Sequence, residues 1–109
     1  MKGAEAFRVA LVTAGSDEEA AKIARALVEE RLAACANVLD GMTSIYRWQG
    51  AVCEDSEAVL IAKTSQARVA ALTERVKALH SYDCPCVVTL PVAGGNTDFL
   101  DWIAAQTEP

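Results

Sequence analysis

The stretch ACANVLDGMTSIYRWQGAVCEDSEAVLIAKT, residues 34–64, decides the fold. It reads as two long β-strands meeting at a tight turn at Gln49-Gly50. In the first strand Met42, Ser44, Tyr46 and Trp48 share one face, and Thr43, Ile45 and Arg47 share the other. In the second, Val59-Leu60-Ile61-Ala62 is a continuous apolar run, the pattern expected of a strand covered on both faces. Asp40-Gly41 interrupts the first strand and predicts a bulge or bend. A hairpin of this length outreaches the body that so short a chain can build around it. Its aromatic tip invites pairing with another chain, so the hairpin points to an oligomer before it points to any chemistry.

The chain of 109 residues reads as one domain spanning 1–109. At 52% hydrophobic and 6% aromatic, it carries more apolar side chain than a small subunit buries alone. A net charge of −5 argues against a nucleic-acid partner, whose phosphates need a basic surface. No apolar run approaches the length of a membrane span, and Met1 to Ala6 shows no leader pattern. The expectation is a cytoplasmic protein with no membrane association. Cys35, Cys53, Cys84 and Cys86 form no C-x-x-C pair, so free thiols in a reducing compartment are expected.

Working outward from the hairpin, Phe7 to Thr13 reads as a first strand. Ser16 precedes Glu19 at the spacing of a capping box, with Asp17 and Glu18 in the first turn of a helix that runs to Ala33. Ala20, Ile23, Ala24, Leu27, Val28 and Leu32 form its apolar stripe. A second helix follows from Gln66 to Leu79, striped by Val69, Leu72, Val76 and Leu79, with His80 at its end. Pro85 favours an extended Cys84, Cys86 to Leu90 form the last strand, and Pro91 ends it. Asn96 caps a short third helix in which Phe99, Leu100 and Ile103 share a face. The order with right-handed crossovers gives an α+β fold, a ferredoxin-like βαββαβ sandwich with a long β-hairpin and a short C-terminal helix.

That fold serves many chemistries, so function rests on sites. The loop Thr13 to Asp17 holds no thiol pair for a metallochaperone and no cation for binding a phosphoryl group. RNA recognition needs strand aromatics with basic neighbours, and Tyr46 and Trp48, near the hairpin tip, are poorly supported by charge. No activated nucleophile or acid–base pair stands out, and the expectation is a non-enzyme. His80, the single histidine, is either a metal ligand with Asp83, Cys84 or Cys86 nearby, or a helix-end histidine that bonds locally. Cys84-Pro85-Cys86 presents two thiolates on one face if the backbone stays extended, or two packed free cysteines. For Cys35 and Cys53, packing is the reading. Tyr46 and Trp48 line a ligand pocket or a subunit contact.

Several runs then carry a resemblance. Ala24 to Asn37, Thr43 to Gly50 (Thr-Ser-Ile-Tyr-Arg-Trp-Gln-Gly), Leu79 to Pro85, Leu90-Pro91 and Gly95 to Ile103, in this order, resemble the CutA family of divalent-cation tolerance proteins from about Phe7 to Ile103. The resemblance implies a ferredoxin-like subunit, a tight homotrimer with hairpins paired across subunits, and an architecture similar to PII signalling trimers. It also implies a role in tolerance of copper or other divalent cations. The ligands proposed in the bacterial member that names the family are a cysteine and two consecutive histidines. The matching positions here are Val12, Leu79 and His80, so His80 alone keeps a ligand type, followed by Ser81 in place of the usual proline. The expectation is a copper or other divalent cation held by His80, Asp83 and Cys84, in a cleft between subunits. The alternative is a small-ligand cleft of PII type lined by Tyr46, Trp48 and Lys63.

Overall fold

In the computed structural model, residues 6–109 are described; the amino-terminal stretch read above for a leader lies outside them, save Ala6. Strand β1, Phe7–Ala14, alternates as its sequence does: Ala10, Val12 and Ala14 are buried, while Val9, Leu11 and Thr13 are half-buried. Helix α1, Asp17–Glu29, starts where Ser16 Oγ accepts the Glu19 N–H at 3.1 Å. Only this half of the expected capping box is built on Ser16. The Glu19 carboxylate instead accepts the backbone N–H and hydroxyl of Ser81, at 2.8 and 3.1 Å.

The helix stops at Glu29 rather than Ala33. The Leu32 N–H turns back to the Leu27 carbonyl at 2.8 Å, and Arg31 takes φ 60°. This is the Schellman closure, made with arginine where glycine is usual. The chain then enters β2, Cys35–Trp48, and β3, Ala51–Ser65. Trp48 faces Ala51, and Gln49 and Gly50 both have positive φ (50° and 82°), the two-residue turn whose twist matches paired strands. The bulge falls where it is expected. Leu39 pairs with Val59 and Met42 with Glu57, so Asp40 and Gly41 (φ 77°) together oppose Ala58.

A 3₁₀ turn, Gln66–Arg68, leads into α2, Val69–Leu79; β4, Val87–Pro91, and α3, Thr97–Gln106, complete the chain. Pro91 belongs to β4 instead of stopping it, because an edge strand has a side on which no N–H is needed. The antiparallel sheet has the order β2-β3-β1-β4, the ferredoxin-like arrangement. Ile23, Leu27, Leu72 and Val76 of the helices pack on Val12, Leu60 and Ala62 of the sheet, forming the main core. On α3, Leu100 and Ile103 join Phe7 and Ala34 in a second cluster. Phe99, expected beside them, lies about 100° round the helix and is exposed, stacked on Trp102 at 5.3 Å between ring centroids.

The strand Val59–Ala62 is covered on one face, not two. Leu60 and Ala62 are fully buried beneath the helices, whereas Val59 and Ile61 are half-buried. With Leu11, and with the exposed Leu39, Val88 and Leu90, they make an apolar sheet face that these helices leave open. The hairpin extends the molecule to 47 × 25 × 22 Å and leaves Ile45, Trp48 and Val52 exposed.

Candidate ligand cleft

The site is built from the end of α2. His80 leaves the helix in an extended conformation, and its side chain is completely buried. Its Nδ1 lies 3.1 Å from the Tyr82 backbone N–H, which can only donate, so this nitrogen is the acceptor. Nε2 therefore carries the proton and donates to the Thr13 carbonyl at 2.7 Å, tying the loop to the end of β1. Both ring nitrogens are thus committed to the backbone. The Glu19 carboxylate, 3.9 Å from Nδ1, is beyond hydrogen-bond reach. It grips the adjacent Ser81 instead. Burial acts to raise the Glu19 pKa, but the Ser81 hydroxyl and N–H outweigh it and hold the carboxyl below its ordinary value.

His80 also sets Tyr82, whose ring lies 4.6 Å from the imidazole centroid, tilted by 49°. From there the Tyr82 hydroxyl donates to Glu57 Oε2 at 2.8 Å, bridging to the hairpin. Gly15 makes room for this: a Cβ there would stand 3.3 Å from the phenol oxygen. Further along the hairpin, the Tyr46 hydroxyl donates to Asp55. Burial first, then the Glu57 hydrogen bond and charge, push the Tyr82 phenol up to about 12; the hydrogen bond to Asp55 does the same for Tyr46.

These groups wall a cleft of about 900 Å³ between the hairpin and the loop after α2. Tyr46, Trp48 and Tyr82 supply its rings, Asp55, Glu57 and Asp83 its carboxylates, and Cys84 and Cys86 its thiols. Among the described residues no Lys, Arg or His lines it. The expected set His80, Asp83 and Cys84 is therefore divided: Asp83 and Cys84 reach the cleft, and His80 sits behind its wall. Among the described residues no group of three or more His, Cys, Asp or Glu side chains is placed to hold a metal ion. What remains fits an ion only in part, through one carboxylate and two exposed thiols. Tyr46 and Trp48 meet in the cleft, whereas Lys63 lies elsewhere, bonded through Nζ to Asn37 Oδ1 at 2.8 Å. Cys35 and Cys53 are half-buried.

Sequence reasoning missed Asp55, Glu57 and Tyr82. A signal existed for the first two: a two-residue turn at Gln49-Gly50 fixes the register, which sets Asp55 opposite Ser44 and diagonal to Tyr46, and Glu57 opposite Met42. Tyr82 reaches Glu57 across 25 positions, and no local pattern announces that.

The fold and cleft define a ferredoxin-like domain with an acidic, aromatic pocket alongside a long hairpin. Residues 8–106 match the CutA1 divalent ion tolerance protein family, and the chain belongs to that family. It is 56% identical over 99 residues to the divalent-cation tolerance protein CutA of Thermus thermophilus, covering 91% of this chain and 96% of that one. A solved structure of the divalent cation tolerance protein from the same bacterium superposes with a TM-score of 0.92 at 54% identity, covering 94% of this chain and 99% of that one. The chloroplastic CutA of Arabidopsis thaliana is 44% identical over 91% of this chain, which spans 54% of that longer protein.

Proposed function

We propose that this chain acts in the tolerance of divalent cations, copper among them, as a non-enzymatic cytoplasmic homotrimer that takes up the ion in its cleft. The observation that carries the reading is the donor set: Asp83, Cys84 and Cys86 reach a cleft that no basic side chain among the described residues lines. Thiolates suit soft and borderline ions, and a carboxylate broadens the range. One subunit groups no three such donors among the described residues, so adjacent copies complete the coordination. His80 serves from behind, fixing the loop that presents Asp83 and Cys84.

Support for assembly comes from the open apolar sheet face and the exposed hairpin, which further copies would cover. Among the described residues no helix is long and apolar enough to cross a membrane. The free Cys84 and Cys86 suit a reducing compartment. The test is calorimetric titration of the reduced protein with copper and zinc, with mass measured by light scattering in the same sample. The expected result is a trimer that binds stoichiometrically and loses the ion on Cys84→Ser with Asp83→Asn. A trimer that binds neither ion keeps the assembly and ends the metal reading.

A second reading, a regulatory trimer of PII type with a small ligand between subunits, is favoured by the size of the cleft. About 900 Å³ walled by three aromatic rings is far more than a bare ion needs and suits an organic molecule. A change in tryptophan fluorescence on ligand addition, without metal, supports it.

A further inference from the structure

The cleft carries negative charge that the described chain does not neutralise. Asp55 and Glu57 each accept one tyrosine hydroxyl, and neither forms an ion pair among the described residues. Glu57 is 9% exposed. A carboxylate so far removed from water is costly unless a positive group compensates it. Tyrosine hydroxyls satisfy one oxygen of each carboxylate and supply no charge. The Asp55 hydrogen bond raises the Tyr46 phenol, and the Glu57 hydrogen bond and charge add to burial in raising that of Tyr82. Beside these carboxylates stand the rings of Tyr46, Trp48 and Tyr82, whose faces attract cations.

A hydrated metal ion satisfies the carboxylates and leaves the rings unused. An anion is refused by the charge. A neutral apolar ligand leaves Glu57 uncompensated. The chemistry that uses both these carboxylates and the three rings is a positive group carried on an apolar body. We infer that the cleft is a binding site for a small organic cation, an ammonium or guanidinium on an apolar frame, held by Asp55 and Glu57 and covered by Tyr46, Trp48 and Tyr82. This rests on the small-ligand reading and names its ligand class; the metal reading uses Asp83 and Cys84 instead.

The experiment is calorimetry on the full, assembled protein at neutral pH, with benzylammonium as probe and benzyl alcohol as its uncharged counterpart. Benzylammonium binds saturably, one per chain, and benzyl alcohol at least roughly tenfold more weakly, the factor expected of one charge-assisted contact. Glu57→Gln and Asp55→Asn keep an oxygen for their tyrosines and remove the charge. Each lowers benzylammonium affinity by roughly tenfold, with the circular dichroism of the wild type. Equal affinity for the two probes, or an affinity indifferent to both substitutions, overturns the inference. No uptake of benzylammonium, together with weakened assembly of Glu57→Gln, also overturns it, by assigning the cleft to a cationic side chain of a neighbouring copy. Zinc titration separates the readings: a protein that takes up zinc and refuses benzylammonium loses this inference alone, and one that does the reverse loses only the metal reading.

Discussion

Replacing His80 by alanine separates a histidine that holds the fold from one that holds a metal. The side chain is fully buried and makes two hydrogen bonds to backbone groups, at 2.7 Å to the Thr13 carbonyl and 3.1 Å from the Tyr82 N–H. Losing each bond, and with it the backbone group's partner, costs about 1 kcal/mol. Losing the ring also opens a cavity beside Tyr82, which adds about 1–2 kcal/mol when the surroundings relax partly. The sum is about 3–4 kcal/mol, a large share of the stability of a small domain. His80→Gln restores one donor and one acceptor and is expected to lose about half as much. The assay is urea unfolding at a fixed protomer concentration, since the proposed assembly would make the midpoint depend on concentration. A loss below about 0.5 kcal/mol for His80→Ala would refute the reasoning, because a surface ligand, unlike a buried pin, can be removed at little cost. Abolished metal uptake with unchanged unfolding is the signature of a ligand rather than a buried pin.

Three further outcomes follow from the same contacts. The Tyr82 phenol is raised from 10.0 to about 12 in the folded chain, so its contribution is complete below pH 10 and is lost as pH rises towards 12; urea midpoints of the wild type fall over that window, and those of Tyr82→Phe fall less. The Glu19 carboxyl is lowered, so its contribution is present above the ordinary carboxyl range and is lost as pH falls through the folded value; Glu19→Gln flattens the acid limb of the same titration. Trp48→Ala, at the exposed end of the hairpin, is expected to weaken assembly by about 2–3 kcal/mol with little effect on subunit fold, read as trimer dissociation on dilution in light scattering.

Much of the fold was legible because its signals are local. The turn at Gln49-Gly50 and the bulge at Asp40-Gly41 are announced by their glycines, which tolerate positive φ, and both lie where expected. The caps at Ser16 and Asn96 accept the N–H groups their spacing predicts, from Glu19 and Asp98. The end of α1 was hidden because Arg31 takes the left-handed position without a glycine to mark it, and the apolar Leu32 and Ala33 extend the helical pattern past the true end. The second face of Val59–Ala62 was misread for a deeper reason. A strand pattern records that a face is apolar, and it cannot record whether the cover comes from its own chain. The site was half legible. Tyr46, Trp48, Asp83 and Cys84 meet in the cleft, but Lys63 is drawn across the strands to Asn37, and His80 to a carbonyl 67 positions away.

The two faces of the sheet divide the labour of the molecule. The face under α1 and α2 is closed by its own chain, with Val12, Leu27, Leu60, Leu72 and Val76 fully buried. The opposite face is apolar and half-covered, and in β3 it runs on from Ile61 and Val59 to Glu57 and Asp55, which enter the cleft. The bulge at Asp40-Gly41 makes that continuity possible. By adding one residue to β2 opposite Ala58, it lets Leu39, paired with Val59, share a face with Met42, Ser44, Tyr46 and Trp48, which the turn pairs with Glu57, Asp55, Cys53 and Ala51. Without it the pairing set by the turn at Gln49-Gly50 would run on unbroken and put Leu39 opposite Leu60, on the face under the helices. Whatever covers the open face therefore also borders the cleft. On the proposed homotrimer, ligand access and assembly become properties of one surface, and a ligand that binds the assembled state more tightly shifts the trimer's dissociation by the same factor.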